Sequence, residues 1–414
     1  MKIEKRDGRL VELSKEKIVT AILGAMEDVG EVNKDVANRI ANDICKIDAD
    51  VMKVEDIQNL VEEKLMASRM KNVARAYVRY RYDREKIRES KSGLMKEISE
   101  KLMASNVQNQ NANVDEKSFG GRMGEANSTV MKNYALNYCM SEMAKNNHLN
   151  NEVYIHDLDS YAVGMHNCLS VPFDKLLAKG FNTRQTDVRP ANSINTAFQL
   201  VAVIFQLQSL QQFGGVSATH LDWTMVPYVR KSFAKHYQDG MKYICNANSK
   251  LDLTKDWSGV SIVDDFYKKT LYPNAYQYAM DMTKKEIYQA VEGMYHNLNT
   301  LQSRSGNQLP FTSINYGTCT LPEGRMITKA LLEVSIEGIG KLHKTSIFPC
   351  GIFQCMKGVN RNPEDPNYDL FKLALRSTAQ RLYPNYANVD WSGNAGYDIN
   401  DPRTYFSTIN KTVA

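Results

Sequence analysis

The feature that most constrains the fold is an alternation of short apolar runs with helical patterns, which begins near Gly124 and continues through the larger part of the chain. Four strand-like runs stand between longer segments of helical periodicity, at residues 153–155, 166–171, 311–319 and 345–353. Strands separated by helices favour an α/β domain with a largely parallel sheet. We therefore predict an α/β fold for this part of the chain.

The stretch 154–160, followed by 165–173, carries the most reactive side chains. Two apolar runs flank the residues His156, Asp157, Asp159, His166, Asn167 and Cys168. This pattern is typical of strands that present reactive side chains at the edge of a sheet. Three interpretations of Cys168 stay open on the residues alone: a redox thiol, a metal ligand or a buried core cysteine.

The first 90 residues have the pattern of a small separate domain. A β-hairpin is predicted for residues 1–13, because Asp7-Gly8 readily supplies the positive φ angles of a tight turn. Ser14 can cap an amphipathic helix that ends at Gly30. Further helices are predicted over residues 36–47, 54–67 and 73–88.

Cations crowd the predicted hairpin turn and the start of the first helix. Lys5, Arg6 and Arg9 bracket the turn, so three cations and backbone N–H groups could face one anion. Lys17 lies in the first helical turn, where a cation opposes the helix dipole, and this indicates an anionic partner. The alternative interpretation is a solvated charged face.

These N-terminal residues resemble the ATP-cone, the nucleotide-binding regulatory module of ribonucleotide reductases. The resemblance rests on Lys5-Arg6-Asp7-Gly8-Arg9, Lys17-Ile18, Ala21-Ile22 and residues 74–81. It implies that ATP or dATP binds as an effector, with its phosphates held by Lys5, Arg6, Lys17 and, as a weaker candidate, Arg81. Charge-assisted hydrogen bonds of this kind contribute about 1.5–3 kcal/mol each, so loss of one should weaken binding about tenfold or more.

A polar segment separates the cone-like part from the rest of the chain. Residues 91–103 continue as an amphipathic helix, and the Asn/Gln-rich residues 106–113 form a connector. The predicted parts are a nucleotide-binding domain at 1–90, a helix and linker at 91–113, and a catalytic domain at 114–414. Phe119-Gly120-Gly121-Arg122 lacks the ending of a phosphate-binding P-loop and is predicted to be a turn.

The helix predicted for residues 195–212 is apolar on most of its surface, yet it carries a row of glutamines and ends at Gly214-Gly215. Buried amides need partners. The helix is therefore central to the core or forms half of a subunit interface.

Several segments in the larger part are similar to class III anaerobic ribonucleotide reductases. They are residues 150–159, His166-Asn167-Cys168, Arg189-Pro190-Ala191-Asn192-Ser193, Gln212-Phe213-Gly214-Gly215 and Pro366-Asn367-Tyr368-Asp369. Together with the ATP-cone, the resemblance covers nearly the whole chain. It implies that the catalytic part is an incomplete ten-stranded α/β barrel of the glycyl-radical enzyme type.

The resemblance also implies a chemistry. The family reduces ribonucleoside triphosphates to deoxyribonucleoside triphosphates with a glycyl radical, which a separate S-adenosylmethionine-dependent iron–sulfur activase installs. By motif match, Cys168 is the cysteine that assists loss of the 2′ hydroxyl and supplies reducing equivalents, and formate or a small thiol protein completes reduction. An unperturbed Cys, with a pKa of about 8.5, stays mostly protonated and can donate a hydrogen atom. His156, Asp157, Asp159 and Asn167 line the same pocket or form a structural hydrogen-bond network.

Three parts of the family's machinery have no match in these 414 residues. They are the thiyl cysteine, the two C-x-x-C pairs that bind zinc and the loop with the radical glycine. Cys350, Cys355 and Gly396 lie outside the family's patterns for these parts. We therefore expect a C-terminally truncated or split reductase that is inactive alone, because it lacks the radical machinery. Half of a closed barrel also leaves unpaired strand edges, so such a fragment should aggregate or pair with another chain.

Two other functions compete with the reductase. The alternative from another class is a nucleotide-sensing regulatory or interaction protein without catalysis. The third is that of a formate-lyase relative, and the ATP-cone argues against it.

Composition narrows the remaining choices. A net charge of +5 over 414 residues is too small to imply direct nucleic-acid binding. The seven cysteines form no C-x-x-C pair, which argues against a disulfide framework and a structural zinc site, so no metal ligand is predicted. The N-terminus lacks a signal peptide, and the apolar stretch 197–210 is shorter than the roughly 20 residues that span a bilayer. We expect a cytoplasmic homodimer.

Overall fold

The computed structural model of the protein has two compact units, Met1–Ser99 and Glu100–Ala414. It describes residues 2–5, 9–103, 118–164, 166–247, 255–268, 272–303, 308–391, 396–405 and 407, except for the side chains of 87–92 and 268. The predicted turn residues Arg6, Asp7 and Gly8 and the predicted connector 106–113 lie outside the described residues. None of the described helices is both long and apolar enough to cross a membrane.

The first unit combines a three-stranded sheet with helices. Its elements are β1 (Lys2–Glu4), β2 (Leu10–Glu12), α1 (Lys15–Asp28), α2 (Lys34–Cys45), β3 (Val51–Lys53), α3 (Val54–Ala67) and α4 (Lys71–Leu102). Strand β1 lies in the centre, antiparallel to β2 and parallel to β3. The predicted hairpin strands and helices are confirmed, and α4 runs without a break past residue 90.

Local sequence explains where these helices begin and what they bury. The Ser14 hydroxyl accepts the N–H of Lys17 at the start of α1, and the Asn33 side chain accepts that of Val36 at the start of α2. The apolar face of each helix then packs into one shared core, whose most buried members include Ile22, Met26, Ala37, Ile44, Val61 and Leu65. Amphipathic spacing therefore predicted the right faces.

The second unit begins with helices and continues as alternating strands and helices. The first elements are α5 (Phe119–Tyr134), α6 (Glu142–Leu149), α7 (Leu158–Tyr161), β4 (Leu169–Ser170), α8 (Phe173–Lys179), β5 (Phe181–Asn182), β6 (Asp187–Val188), α9 (Ile194–Ser209) and β7 (Val216–Ala218). The remaining ones are α10 (Leu221–Tyr243), α11 (Asp265–Lys268), α12 (Pro273–Thr300), β8 (Thr312–Tyr316), α13 (Pro322–Glu337), β9 (Cys350–Cys355), α14 (Tyr368–Arg381) and β10 (Asn385–Asn388).

A five-stranded sheet organises this unit. The strand order is β10-β9-β8-β7-β4, and every neighbouring pair is parallel. Val216, Ile314 and Phe353, one from each of three adjacent strands, share a hydrophobic core with helix residues such as Phe205, Phe233 and Val291. The predicted α/β fold with a parallel sheet is therefore confirmed.

Some local predictions are wrong. Phe119-Gly120-Gly121-Arg122 is the first turn of α5 rather than a loop, because the Ser118 hydroxyl accepts the N–H of Gly121 and caps the helix. Residues 153–155 form no strand, and Val153 and Tyr154 are exposed. The strand predicted for 166–171 is reduced to Leu169–Ser170, and that predicted for 345–353 begins only at Cys350. Short apolar runs do not distinguish strands from exposed turns.

A buried ion pair ties α10 to α13. The Nε of Arg230 donates to Oε1 of Glu323 at 3.0 Å, and the N–H of Ile262 donates to the same oxygen at 2.9 Å. The Glu323 side chain is 0% exposed and that of Arg230 is 15% exposed. Burial opposes the charged carboxylate, but the hydrogen bonds from Arg230 and Ile262 outweigh it and lower the pKa of Glu323.

We expect Glu323→Gln to lower the free energy of unfolding at neutral pH by about 1.5–3 kcal/mol, because Arg230 loses its charged partner. Since the folded-state pKa is lowered, this stabilisation is present above the ordinary value of 4.5 and is lost as the pH falls through the folded-state value. Urea unfolding in neutral and acidic buffer measures both. Glu333→Gln, which breaks an exposed pair with Lys329 on the same helix, is the control. Equal effects of the two substitutions would contradict this account.

Candidate active site and effector site

Cys168 lies on the loop that leads into β4, the edge strand of the parallel sheet. It is half-buried. On its C-terminal side, the N–H of Leu169 donates to the carbonyl oxygen of Gly215 at 3.0 Å, and on its N-terminal side His166 forms a parallel bridge with Gln212. The thiol therefore stands at the start of a strand whose backbone is attached to the segment before β7.

The thiol has a neutral hydrogen-bond partner. Its Sγ donates to Oδ1 of the neighbouring Asn167 at 3.3 Å. The backbone carbonyl of Asn167 accepts from Nε2 of Gln212 at 3.1 Å, and the same nitrogen lies 3.2 Å from the Gly214 oxygen and 2.9 Å from the Gly215 oxygen. The structure thus brings together two of the predicted residues, Cys168 and Asn167.

Gly214 allows this close approach. A Cβ atom built at Gly214 would lie 2.1 Å from the backbone oxygen of Asn167 and 2.4 Å from its Oδ1. No side chain fits there without moving the peptide group next to Cys168. Gly214 therefore has a packing role at the thiol loop.

The other predicted pocket residues have partners of their own. Nδ1 of His156 pairs with the carboxylate of Asp157, which has a left-handed backbone (φ 53°) at the start of α7. Oδ2 of Asp159 accepts from the Ser128 hydroxyl on α5 at 2.8 Å. Within the described residues, none of these three forms a hydrogen bond or ion pair with Cys168.

Two further thiols lie on β9 and remain protonated. Burial raises the pKa of Cys350, although a hydrogen bond with the Tyr383 hydroxyl, 3.6 Å away, partly opposes this. Burial also raises the pKa of Cys355 to about 11. Among the described residues, no group of three His, Cys, Asp or Glu side chains could hold a metal ion.

The first unit contains a cavity of about 730 Å³ between α1 and α4. Its lining residues are Glu16, Lys17, Thr20, Ala21, Gly24, Ala25, Asp28, Ala76, Arg79, Tyr80 and Asp83. Lys17 and Arg79 are both exposed and form no ion pair with any described residue. The cavity therefore offers two available cations to an anionic ligand.

Arg79 was missed by the sequence analysis, whereas Arg81 is placed elsewhere. The guanidinium of Arg81 binds Glu62 at 3.0 Å and Glu55 at 3.2 Å, and it also donates to Asn59. It does not line the cavity. Helical spacing could have separated the two arginines, because positions 76, 79, 80 and 83 share one face of α4.

Of the predicted hairpin cations, Lys5 is described and does not line the cavity. Lys5 lies directly after β1, where its N–H donates to the carbonyl of Arg9 at 2.8 Å, and it is absent from the lining. Arg6 lies outside the described residues. Of the three predicted phosphate ligands that the structure describes, Lys17 lines the cavity and Lys5 and Arg81 do not.

Comparison with protein families decides the relationship. The family model described as anaerobic ribonucleoside-triphosphate reductase matches residues 110–403, and the ATP cone domain model matches residues 1–86. The chain belongs to the anaerobic ribonucleoside-triphosphate reductase family. In this reductase family member, the cavity lies in the ATP cone region and Cys168 in the reductase region.

Named relatives agree with this assignment. The anaerobic ribonucleoside-triphosphate reductase of Haemophilus influenzae is 33% identical over 394 residues, which cover 93% of this chain and 52% of that protein. The Escherichia coli protein of the same name is 30% identical over 393 residues, which cover 94% of this chain and 51% of that protein. The one from enterobacteria phage T4 is 32% identical and covers 67% and 41%. The chain thus spans about half the length of the curated relatives it matches.

We expect Gly214→Ala to destabilise the reductase unit by about 1–3 kcal/mol, because the new methyl group overlaps the Asn167 backbone. Gly293→Ala is the matched control, since no atom lies within 4 Å of the Cβ position at this exposed helical glycine. It should stabilise the protein by about 0.5–1 kcal/mol. Thermal unfolding of the two variants measures the difference. The prediction fails if both shift the melting temperature in the same direction.

Proposed function

We propose that this chain provides the regulatory part and the first catalytic part of an anaerobic reductase of ribonucleoside triphosphates, controlled by ATP and dATP. The observation that carries the proposal is the partner of the Cys168 thiol. Asn167 is a neutral amide, and in the described part of the chain no histidine or carboxylate hydrogen bonds to the sulfur. A thiol used as a nucleophile needs a base or a cation to form the thiolate. The Sγ of Cys168 instead donates to a neutral amide oxygen, an arrangement that suits donation of a hydrogen atom.

The expected glycyl radical supplies the oxidising equivalent for such chemistry, and zinc supports its site in the family. The residues of this chain do not fit the zinc site, because no C-x-x-C pair occurs in the sequence, and Gly396 lies outside the family's pattern for the radical glycine. We derive no step through them. In the proposed enzyme, this chain holds a hydrogen atom at Sγ of Cys168, while the activase, the homodimer partner and formate or a small thiol protein are contributed from outside it.

The α1–α4 cavity is the proposed effector site. Lys17 and Arg79 supply charge for the phosphates of ATP or dATP, and Tyr80 provides an aromatic surface in the same wall. Guanidinium and ammonium groups without carboxylate partners bind phosphate by charge-assisted hydrogen bonds. Arg81, which Glu55 and Glu62 already neutralise, has no such role in this proposal.

Lys17→Ala and Arg79→Ala should each weaken ATP and dATP binding about tenfold or more, because each removes one charge-assisted contact. Isothermal titration of the chain with ATP, dATP and inorganic tripolyphosphate measures this. Arg75→Ala is the control, because Arg75 is exposed on the same helix and does not line the cavity. Unchanged affinity in both cavity variants would refute the effector site.

Cys168→Ala should abolish deoxyribonucleotide formation and leave ATP binding intact, because alanine has no hydrogen atom that a radical can readily abstract. The assay is anaerobic: the chain is mixed with the C-terminal part of a relative, the activase and a ribonucleoside triphosphate. Cys139→Ala, which alters an exposed cysteine in the π-helical turn Ala135–Cys139, is the matched control. Product formation by Cys168→Ala would remove Cys168 from the mechanism.

A further inference from the structure

We propose that Gln212 is a positioning residue for the Cys168 thiol, acting through the peptide group that joins Asn167 to Cys168. The proposal deepens the proposed function, because it rests on Cys168 as the working thiol. Gln212 follows the end of α9 and is 5% exposed. Nothing in the mechanism above assigns it a role.

The carboxamide of Gln212 is fully used within this small region. Its Nε2 donates to the carbonyl of Asn167 and approaches those of Gly214 and Gly215, at 3.1, 3.2 and 2.9 Å. Its Oε1 accepts from Nε2 of Gln208 at 2.8 Å. These contacts fix which end of the amide carries the hydrogens, because only the NH₂ end can donate to carbonyl oxygens.

The hydrogen bond from Gln212 to the Asn167 carbonyl acts on the peptide group that precedes the cysteine. The Asn167 carbonyl belongs to the peptide group that contains the Cys168 nitrogen, so a hydrogen bond to its oxygen orients the plane from which Cys168 extends. The Cβ position of Gly214 lies close to the same oxygen and to Oδ1 of Asn167, so a side chain there would displace both. Oδ1 is the acceptor of the thiol. Gln212 therefore holds the backbone oxygen of Asn167, and the lack of a side chain at Gly214 leaves room for both oxygens of that residue.

The contacts of the Gln212 side chain distinguish positioning of the thiol loop from general support of the fold. The described hydrogen bonds of the Gln212 side chain are with Asn167, Gly214, Gly215 and Gln208. Apolar packing of the sheet begins beyond it, at Val171 and Val216. Removal of the carboxamide therefore loosens the thiol loop and leaves the core contacts in place.

The test uses the full chain and reads the thiol itself. Gln212→Leu removes donors and acceptor, whereas Gln212→Glu keeps an acceptor and removes the donors. Gln211→Leu is the matched control, because Gln211 is exposed and lies one residue earlier. Timed labelling with iodoacetamide, followed by peptide mass spectrometry, gives the rate at Cys168 relative to exposed Cys139. Infrared difference spectra against Cys168→Ser give the S–H stretching band.

Both Gln212 variants should raise the relative labelling rate of Cys168 at least about threefold, because the loop opens more often. The S–H band should shift to higher frequency as the hydrogen bond to Asn167 weakens. Gln211→Leu should change neither. A merely structural residue would not move the S–H band of one cysteine.

Two results would overturn the proposal. One is an unchanged labelling rate and an unchanged S–H band in the Gln212 variants. The other is a general loss of protection in which buried Cys350 also becomes reactive, because Gln212 would then support the whole fold. Neither readout needs turnover, so failure of the Cys168→Ala assay refutes the proposed function without deciding this proposal.

Discussion

The packing of the reductase unit depends on one buried loop, which joins the central strand β8 to α13. The wholly buried carboxylate of Asp222 accepts the N–H groups of Gly317 and Cys319, both at 2.9 Å. From the other side, Asn360 donates to the carbonyl of Gly317 at 2.9 Å, and Asn367 donates to those of Gly317 and Cys319 at 3.1 and 3.0 Å. A loop inside a protein is tolerated only when its backbone groups are paired, and three side chains from separate segments meet that condition here.

This arrangement explains a motif that the sequence could recognise but not interpret. Asn367 stands at the start of α14, and Asp369 two residues later binds the guanidinium of Arg325 on α13 at 2.8 and 3.0 Å. Residues 367–369 thus supply hydrogen-bond donors to the buried loop and an ion pair between α13 and α14. Burial raises the pKa of Asp222, and the N–H donors that partly oppose this are the same groups that position the loop. Burial of a carboxyl group costs free energy, and here the hydrogen bonds from the loop N–H groups offset part of that cost.

The sequence predicted elements where local rules and tertiary packing agree. Helix α3 occupies residues 54–67 as predicted, because amphipathic spacing decides both its existence and its ends. The edge strand β4 has only two residues, Leu169 and Ser170, and what fixes its length is pairing with β7 rather than its own composition. Gly120 and Gly121 begin a helix because Ser118 caps it, against their low helix propensity. The Gln212 carboxamide contacts are likewise invisible in sequence, since they join residues 45 positions apart.

Several arginine side chains are held in ion pairs by carboxylates, whereas Arg79 is in no ion pair with a described residue. In the reductase unit, Arg230 binds Glu323, Arg325 binds Asp369 and Arg361 binds Asp390. A guanidinium held by a carboxylate would have to lose that partner before it could bind phosphate, so pairing removes it from ligand recognition. In the cone the same rule divides Arg79 from Arg81, which are two residues apart on one helix. Both arginines carry the same charge in the sequence, but Arg81 pairs with Glu55 and Glu62 of α3, whereas Arg79 lines the cavity.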